Sequence, residues 1–165
     1  MVWFRGEDDE TSKAGKAYHK ASQDPRISFD KNLQWSARSL PEGIRWSSLE
    51  EAGAELIRHN WASFRDHPDG IYFTAETMAH GGLIALLEAS LEIGKDVKVA
   101  PLAHKGGALL RPFWKKYHTG QIDSDTIVEK MFSLLGKLIQ RMRLEPQKVV
   151  VRPHVVGPYG GVSGP

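Results

Sequence analysis

Residues Asp69-Gly70-Ile71-Tyr72-Phe73-Thr74-Ala75-Glu76-Thr77-Met78-Ala79-His80-Gly81, continued past Leu86 to Gly94 and then Asp96-Val97-Lys98-Val99, decide the architecture of this chain. Pro68-Asp69-Gly70 has turn chemistry, and Ile71 to Thr74 is a short β-prone apolar run, so a strand begins where the turn ends. From Glu76 the period changes. Met78, Leu83, Leu86, Leu87 and Leu91 recur at helical spacing with the small Ser90 on the same face, and Gly94 stands where a left-handed C-cap belongs. A helix over Glu76 to Ile93 is expected, followed by a second strand over Val97 to Ala100.

Outward from this unit the alternation continues. Val2-Trp3-Phe4 is β-prone and leads into the acidic, turn-like Gly6-Glu7-Asp8-Asp9-Glu10. Thr11 or Ser12 then caps a helix to about Ser22, which Asp24-Pro25 breaks. Ile27-Ser28-Phe29 reads as a strand, and Leu33 to Trp46 as irregular, punctuated by Pro41 and Gly43. Ser48-Leu49-Glu50-Glu51 fits a capping box opening a helix from Leu49 to Phe64. Pro101 to Gln121 is long and mixed. Asp123 to Arg143 reads as a helix with Ile127, Met131, Leu134, Leu135, Leu138 and Met142 on one side, acidic at its start and basic at its end. Lys148 to Val151 is a last strand, and the Gly/Pro-rich stretch 157–165 is a mobile or draped tail.

Strands alternating with helices predict an α/β fold: a doubly wound, mainly parallel sheet with helices on both faces and flavodoxin-like layering. Ligands of such sheets collect at the carboxyl ends of the strands, here the loops 5–12, 75–77 and 101–108. His104 is thereby a candidate ligand contact.

Composition removes several classes of function. At 165 residues the chain is one domain of ordinary size. Its 22 basic and 20 acidic residues leave a net charge of +2, scattered along the chain, and no nucleic-acid-binding motif is present. The absence of cysteine excludes disulfides, thiol nucleophiles and cysteine-held metals. No apolar run approaches the roughly 18 residues of a membrane helix, and Met1 to Asp9 lacks the form of a secretory signal, so a soluble, unexported protein is expected. The seven histidines (19, 59, 67, 80, 104, 118 and 154) have no metal-site spacing, so neither metal nor cofactor is expected. Ser36, Ser47 and Ser48 lack a nucleophile-elbow setting, and Gly106-Gly107 after Lys105 matches no phosphate-binding fingerprint, which argues against catalysis. Glu7 to Glu10 read as a solvated loop at a helix N-terminus. Of Trp3, Trp35, Trp46, Trp61 and Trp114, most read as core, and only Trp46 is a candidate for stacking on a sugar.

The stretch from Asp69 to Val99 resembles the effector domain of LacI/GalR-type transcription regulators. That family's pattern is an apolar strand, an Asn-Asp pair, Met-Ala-x-Gly on the next helix, a Gly ending it, and an Asp-Val-x-Val strand. The Ala14-Gly15 helix, the Glu51-Ala52-Gly53 helix and a closing strand over Val149 to Val156 fall in the family's order. The resemblance implies a periplasmic-binding-protein-like type I subdomain, residues 1–156, that binds a small polar ligand without catalysis, a sugar being one candidate. It places Glu76 within the Asn-Asp pair, here Ala75-Glu76, and a ligand-contacting basic residue near Ser12 or Lys13. It also sets Trp46 near a sugar-stacking indole, and Met78 and His80 on the helix of the dimer interface. The family's Gly-Tyr-Asp-Asp is replaced near Pro101-Leu102-Ala103-His104.

The match begins partway through the family's domain. It implies a C-terminal part lacking both the helix-turn-helix headpiece, through which alone DNA would be bound, and the N-terminal subdomain. The segment from Pro112 to Met142 would then lose its usual cover and find a substitute partner, giving a homodimer or a domain-swapped oligomer in the cytoplasm. Two other readings stay open: a stand-alone flavodoxin-like enzyme or phosphate binder, and a fragment of a periplasmic sugar-binding protein.

Overall fold

A computed structural model of the chain describes residues 2–5, 13–25, 33–36, 40–63, 67–113, 115–140 and 149–157. Along it come β1 (Val2–Arg5), α1 (Lys13–Ser22), β2 (Gln34–Ser36), α2 (Leu49–Trp61), β3 (Gly70–Phe73), α3 (Glu76–Glu88) and β4 (Lys98–His104). A 3-10 turn (Arg111–Phe113), β5 (Thr119–Ile122), α4 (Ser124–Ile139) and β6 (His154–Val156) complete it. The strands form one sheet in the order β2-β1-β3-β4-β5-β6, parallel except for β6, which runs antiparallel to β5. This is the doubly wound, mainly parallel sheet expected from the sequence. The chain leaves β1 toward one edge and returns to β3 on the other side. Right-handed crossovers therefore put α1 on one face and α2 with α3 on the opposite one.

Among the described residues α2 and α3 make the most extensive helix contact. Mostly small residues meet there: Ala52, Gly53 and Ala54 of α2 against Ala79, Gly81 and the larger Met78 of α3, all buried. A Cβ on Gly81 would fall inside the carbonyl of Glu50, and one on Gly53 inside the carbonyl of Met78. Backbone thus lies directly on backbone. Below the pair, Leu56, Ile57, Ile71, Phe73, Leu83 and Leu86 form a core in which each is 2% exposed or less.

Local chemistry sets the helix ends. Ser48 Oγ accepts the Glu51 N–H at 3.1 Å, as the capping box predicts. The return bond differs, because the Glu51 carboxylate accepts the N–H and hydroxyl of Ser47, at 2.6 and 2.7 Å, and not the N–H of Ser48. Those bonds, the N–H foremost, hold the Glu51 carboxyl below the ordinary carboxylate value. α3 stops at Glu88, short of the expected Ile93. Ser90 takes the left-handed conformation (φ 60°), and its N–H and that of Leu91 close onto Leu87 O and Leu86 O at 2.9 and 3.0 Å, a Schellman ending. Leu87 is 44% exposed and leaves the buried stripe. Gly94, expected as the cap, instead turns the chain into β4, its N–H bonded to Val97 O at 2.8 Å.

The strands supply further corrections. β4 runs on through Pro101 to His104, and β5 lies within the segment expected to be mixed. β2 falls in the segment expected to be irregular, and the last strand is His154–Val156, with Val149 to Val151 outside any strand. Val99 accepts from His118 N–H and Lys105 N–H donates to Ile122 O, so alternate residues of β4 bond toward β5. Pro101 is one of these. Lacking an N–H, it leaves one rung out of the β4–β5 ladder, while Thr119 Oγ1 donates to its carbonyl at 3.1 Å.

α4 begins at the Asp123 N-cap, whose Oδ1 accepts from the Thr126 N–H at 3.4 Å. None of its side chains is buried: Met131, Phe132, Leu138 and Ile139 are 63%, 68%, 58% and 72% exposed. Among the described residues α4 touches other elements only marginally. The expected strand Ile27-Ser28-Phe29, the acidic run Gly6 to Glu10, the caps Thr11 and Ser12, the helix ends Phe64 and Arg143, Trp114 and the tail from Pro158 lie outside the described residues.

The glycine contact gives a direct stability test. In an open helix, Gly to Ala gains about 1 kcal/mol of propensity. At Gly81 the clash with the Glu50 carbonyl outweighs that gain, so Gly81→Ala is expected to lower stability in urea unfolding by at least about 2 kcal/mol.

Candidate functional site

The carboxyl ends of β3, β4 and β5 enclose a cleft of ≈ 420 Å³, within the usual range for small-molecule sites. Thr74, Ala75, Glu76 and Thr77 line it from the β3–α3 junction, Leu102, Ala103 and His104 from the end of β4, Ala108 and Leu109 from the next loop, and Ile122 from β5. Hydroxyls, a carboxylate and an imidazole thus alternate with an aliphatic wall. Such a lining suits a small, polar molecule with a carbon frame.

Glu76 is the first residue of α3, where the helix dipole favours a carboxylate. Its Oε2 accepts the backbone N–H of His104 at 3.1 Å. That bond ties the start of α3 to the end of β4. His104, Lys105, Gly106 and Gly107 then form a tight turn closed by Gly107 N–H to His104 O at 3.0 Å, with Gly106 at φ 74°. A Cβ on Gly107 would come 2.5 Å from Glu76 Oε1, so the turn leaves the carboxylate its place only because that residue is glycine.

The same turn is fastened to β5 and α4. His104 Nδ1 lies 3.2 Å from Ser124 Oγ, and Lys105 Nζ lies 2.9 Å from Asp123 Oδ2. The Lys105 ammonium, chiefly through that hydrogen bond, holds the Asp123 carboxyl below its ordinary value, and Asp123 in turn raises Lys105. Tyr117 is buried nearby and donates to Leu110 O at 3.1 Å. Burial, and secondarily the Glu76 charge, push its phenol up to about 12.

Of the residues expected to bind ligand, the structure brings Glu76 and His104 together in the cleft. Trp46 is 38% exposed in the segment before α2 and does not line it. Lys13 is the first residue of α1, and its side chain lies outside the described residues. Met78, expected at a dimer interface, is 1% exposed and packed in the α2–α3 contact, so no partner surface reaches it. His80 is half-buried; its Nδ1 lies 2.7 Å from Glu50 Oε1 and its ring stands edge-on to Phe113. Among the described residues no three His, Asp or Glu side chains gather as metal ligands would. Nor, among the described residues, is any helix long and apolar enough to cross a membrane. Thr74, Thr77, Lys105, Asp123 and Ser124 were not singled out from the sequence. A hydroxyl pair flanking Ala75-Glu76 straight after a strand was the available signal.

No protein-family model matches the sequence, and no curated protein matches it either. Solved structures do. The transcription regulator CcpA of Lactococcus lactis superposes with a TM-score of 0.73 at 15% identity, over 97% of this chain and 55% of that one. A sugar-binding transcriptional regulator of the LacI family from Escherichia coli, complexed with phosphate, gives 0.70 at 16% identity over 99% and 55%. The transcriptional regulator CelR in complex with cellobiose gives 0.66 at 16% identity over 97% and 46%. The chain therefore has the fold found in LacI-family regulators and spans about half the length of the structures it matches.

Tyr117 reports on the placement of Glu76. A phenol raised in the folded state adds stability below the ordinary tyrosine value, and that contribution is lost as pH rises through about 12. Glu76→Gln is expected to lower the Tyr117 midpoint in an ultraviolet titration of tyrosinate, with Tyr117→Phe assigning the transition. An unchanged midpoint would mean that the carboxylate is not where the structure puts it.

Proposed function

We propose that this chain is the ligand-sensing module of a LacI/GalR-like transcription regulator, a non-enzymatic domain of the cytoplasm that binds a small polar ligand, a sugar in the first instance. The observation that carries the reading is a formed cleft at the carboxyl ends of β3, β4 and β5, in a fold matched to such regulators over 97% of the chain. One matched regulator is a cellobiose complex and another a complex with phosphate, which supports a small-ligand partner. Residues 1–156 would correspond to the second subdomain of a two-lobed sensor, with 157–165 as a tail. Thr74, Thr77, Glu76 and His104 would hold the ligand at its inner edge. Closure of the lobes over the ligand would change their relative orientation and so bias DNA binding, which in this reading belongs to a separate headpiece.

A thermal-shift screen tests this. Sugars, cellobiose among them, are expected to raise Tm, since a ligand that binds only the folded state stabilises it by mass action. Silence from every sugar alongside shifts with another metabolite class would defeat the sugar reading.

For α4 we propose a second copy of the chain as cover. Its exposed Val128, Met131, Phe132, Leu135, Leu138 and Ile139 form one apolar face. Asp125 stands in the first turn and Lys137 in the last, ends of opposite charge that favour antiparallel pairing of two such helices. Sedimentation velocity is expected to show a dimer that Phe132→Glu with Leu138→Glu converts to monomer, the circular dichroism of the chain staying intact. A monomeric wild type would refute the pairing.

A further inference from the structure

The cleft has an uneven charge. Among the described residues that line it, Glu76 is, apart from the imidazole of His104, the sole ionisable side chain, and none of them is a lysine or arginine. The lysine of the adjoining turn, Lys105, is held by Asp123 at 2.9 Å. A helix N-terminus at this place in an open α/β sheet ordinarily attracts a ligand anion. Here Glu76, as the first residue of α3, supplies that negative charge from the chain itself.

The carboxylate is also held ready. Its Oε2 is engaged by the His104 N–H at 3.1 Å, whereas among the described residues nothing donates to Oε1. Gly107 leaves Oε1 the room it occupies. An anionic ligand entering this space would meet a fixed like charge at short range, and a cationic one a fixed counter-charge; in a partly desolvated cleft that difference is large.

Resting on the ligand-sensing reading above, we propose that the cleft selects by charge. It takes a hydroxylated ligand bearing an ammonium group, of the amino-polyol or amino-sugar class, with Glu76 Oε1 as counter-ion, and rejects phosphorylated and carboxylated analogues. Thr74 and Thr77 offer hydroxyls to the ligand's own, and Leu102, Leu109 and Ile122 flank its carbon frame.

The test uses the full chain and three probes alike in frame and unlike in charge: glucamine, sorbitol and sorbitol phosphate, titrated while amide chemical shifts are followed. Shifts are expected at Thr74 to Thr77 and Leu102 to Leu109. Glucamine should bind at least about tenfold more tightly than sorbitol, and sorbitol phosphate at least about tenfold more weakly. Glu76→Gln, which keeps an acceptor for the His104 N–H, should erase the ranking. Should that variant fail to fold, the ranking in the wild type still decides. Shifts at these residues with equal affinities, or with the phosphate preferred, overturn the charge selection and leave the ligand-sensing reading standing. No shift there with any of the three overturns both.

Discussion

The backbone contact between α2 and α3 is the constraint from which the site follows. Gly53 and Gly81 let the two helices approach until carbonyls occupy the space a methyl group would need. Interiors packed at crystal density transmit such a constraint rather than absorb it. With α3 fixed on α2, and Met78 and Leu83 fixed beneath, the first turn of α3 is delivered to the ends of β3 and β4. Glu76 has reach enough there to accept the His104 N–H. The hydrogen bond of His80 with Glu50 and the ion pair of Arg58 with Glu88 span the same two helices at their margins. They are partly exposed and contribute little beside the apolar contact.

Much of this order could be read from the residues. Ile71 and Phe73 alternate with half-buried neighbours as a strand with a buried face should, and Met78, Leu83 and Leu86 are buried at helical spacing. What escaped reading has physical causes. Pro101 looks like a breaker, yet β4 continues through it because its missing N–H falls on a single rung. Thr119-Gly120-Gln121-Ile122 has too little apolar character to declare a strand; neighbours on both sides make it one. Ser90 ends α3 in a conformation that favours glycine, so Gly94 seemed the better cap. Met78 carried two readings, core and interface, and only burial decides between them.

The site was legible in the same partial way. The rule that ligands gather at strand ends found Glu76 and His104. It could not find that His104 meets Ser124 and Lys105 meets Asp123, because partners 20 and 18 residues apart leave no local pattern. Trp46 drew attention for its indole and for its place in the family's order, and it stands in the segment before α2, outside the lining of the cleft.

The missing rung at Pro101 falls between the two groups of strands that carry the cleft. β1, β2 and β3 are laddered to β4 on one side, and β5, carrying α4 and β6, hangs from β4 on the other by a ladder that starts late. The cleft lies across this seam: Glu76 and the two threonines belong to one plate, Ile122, Asp123 and Ser124 to the other. His104 and Lys105 are the stitches between them.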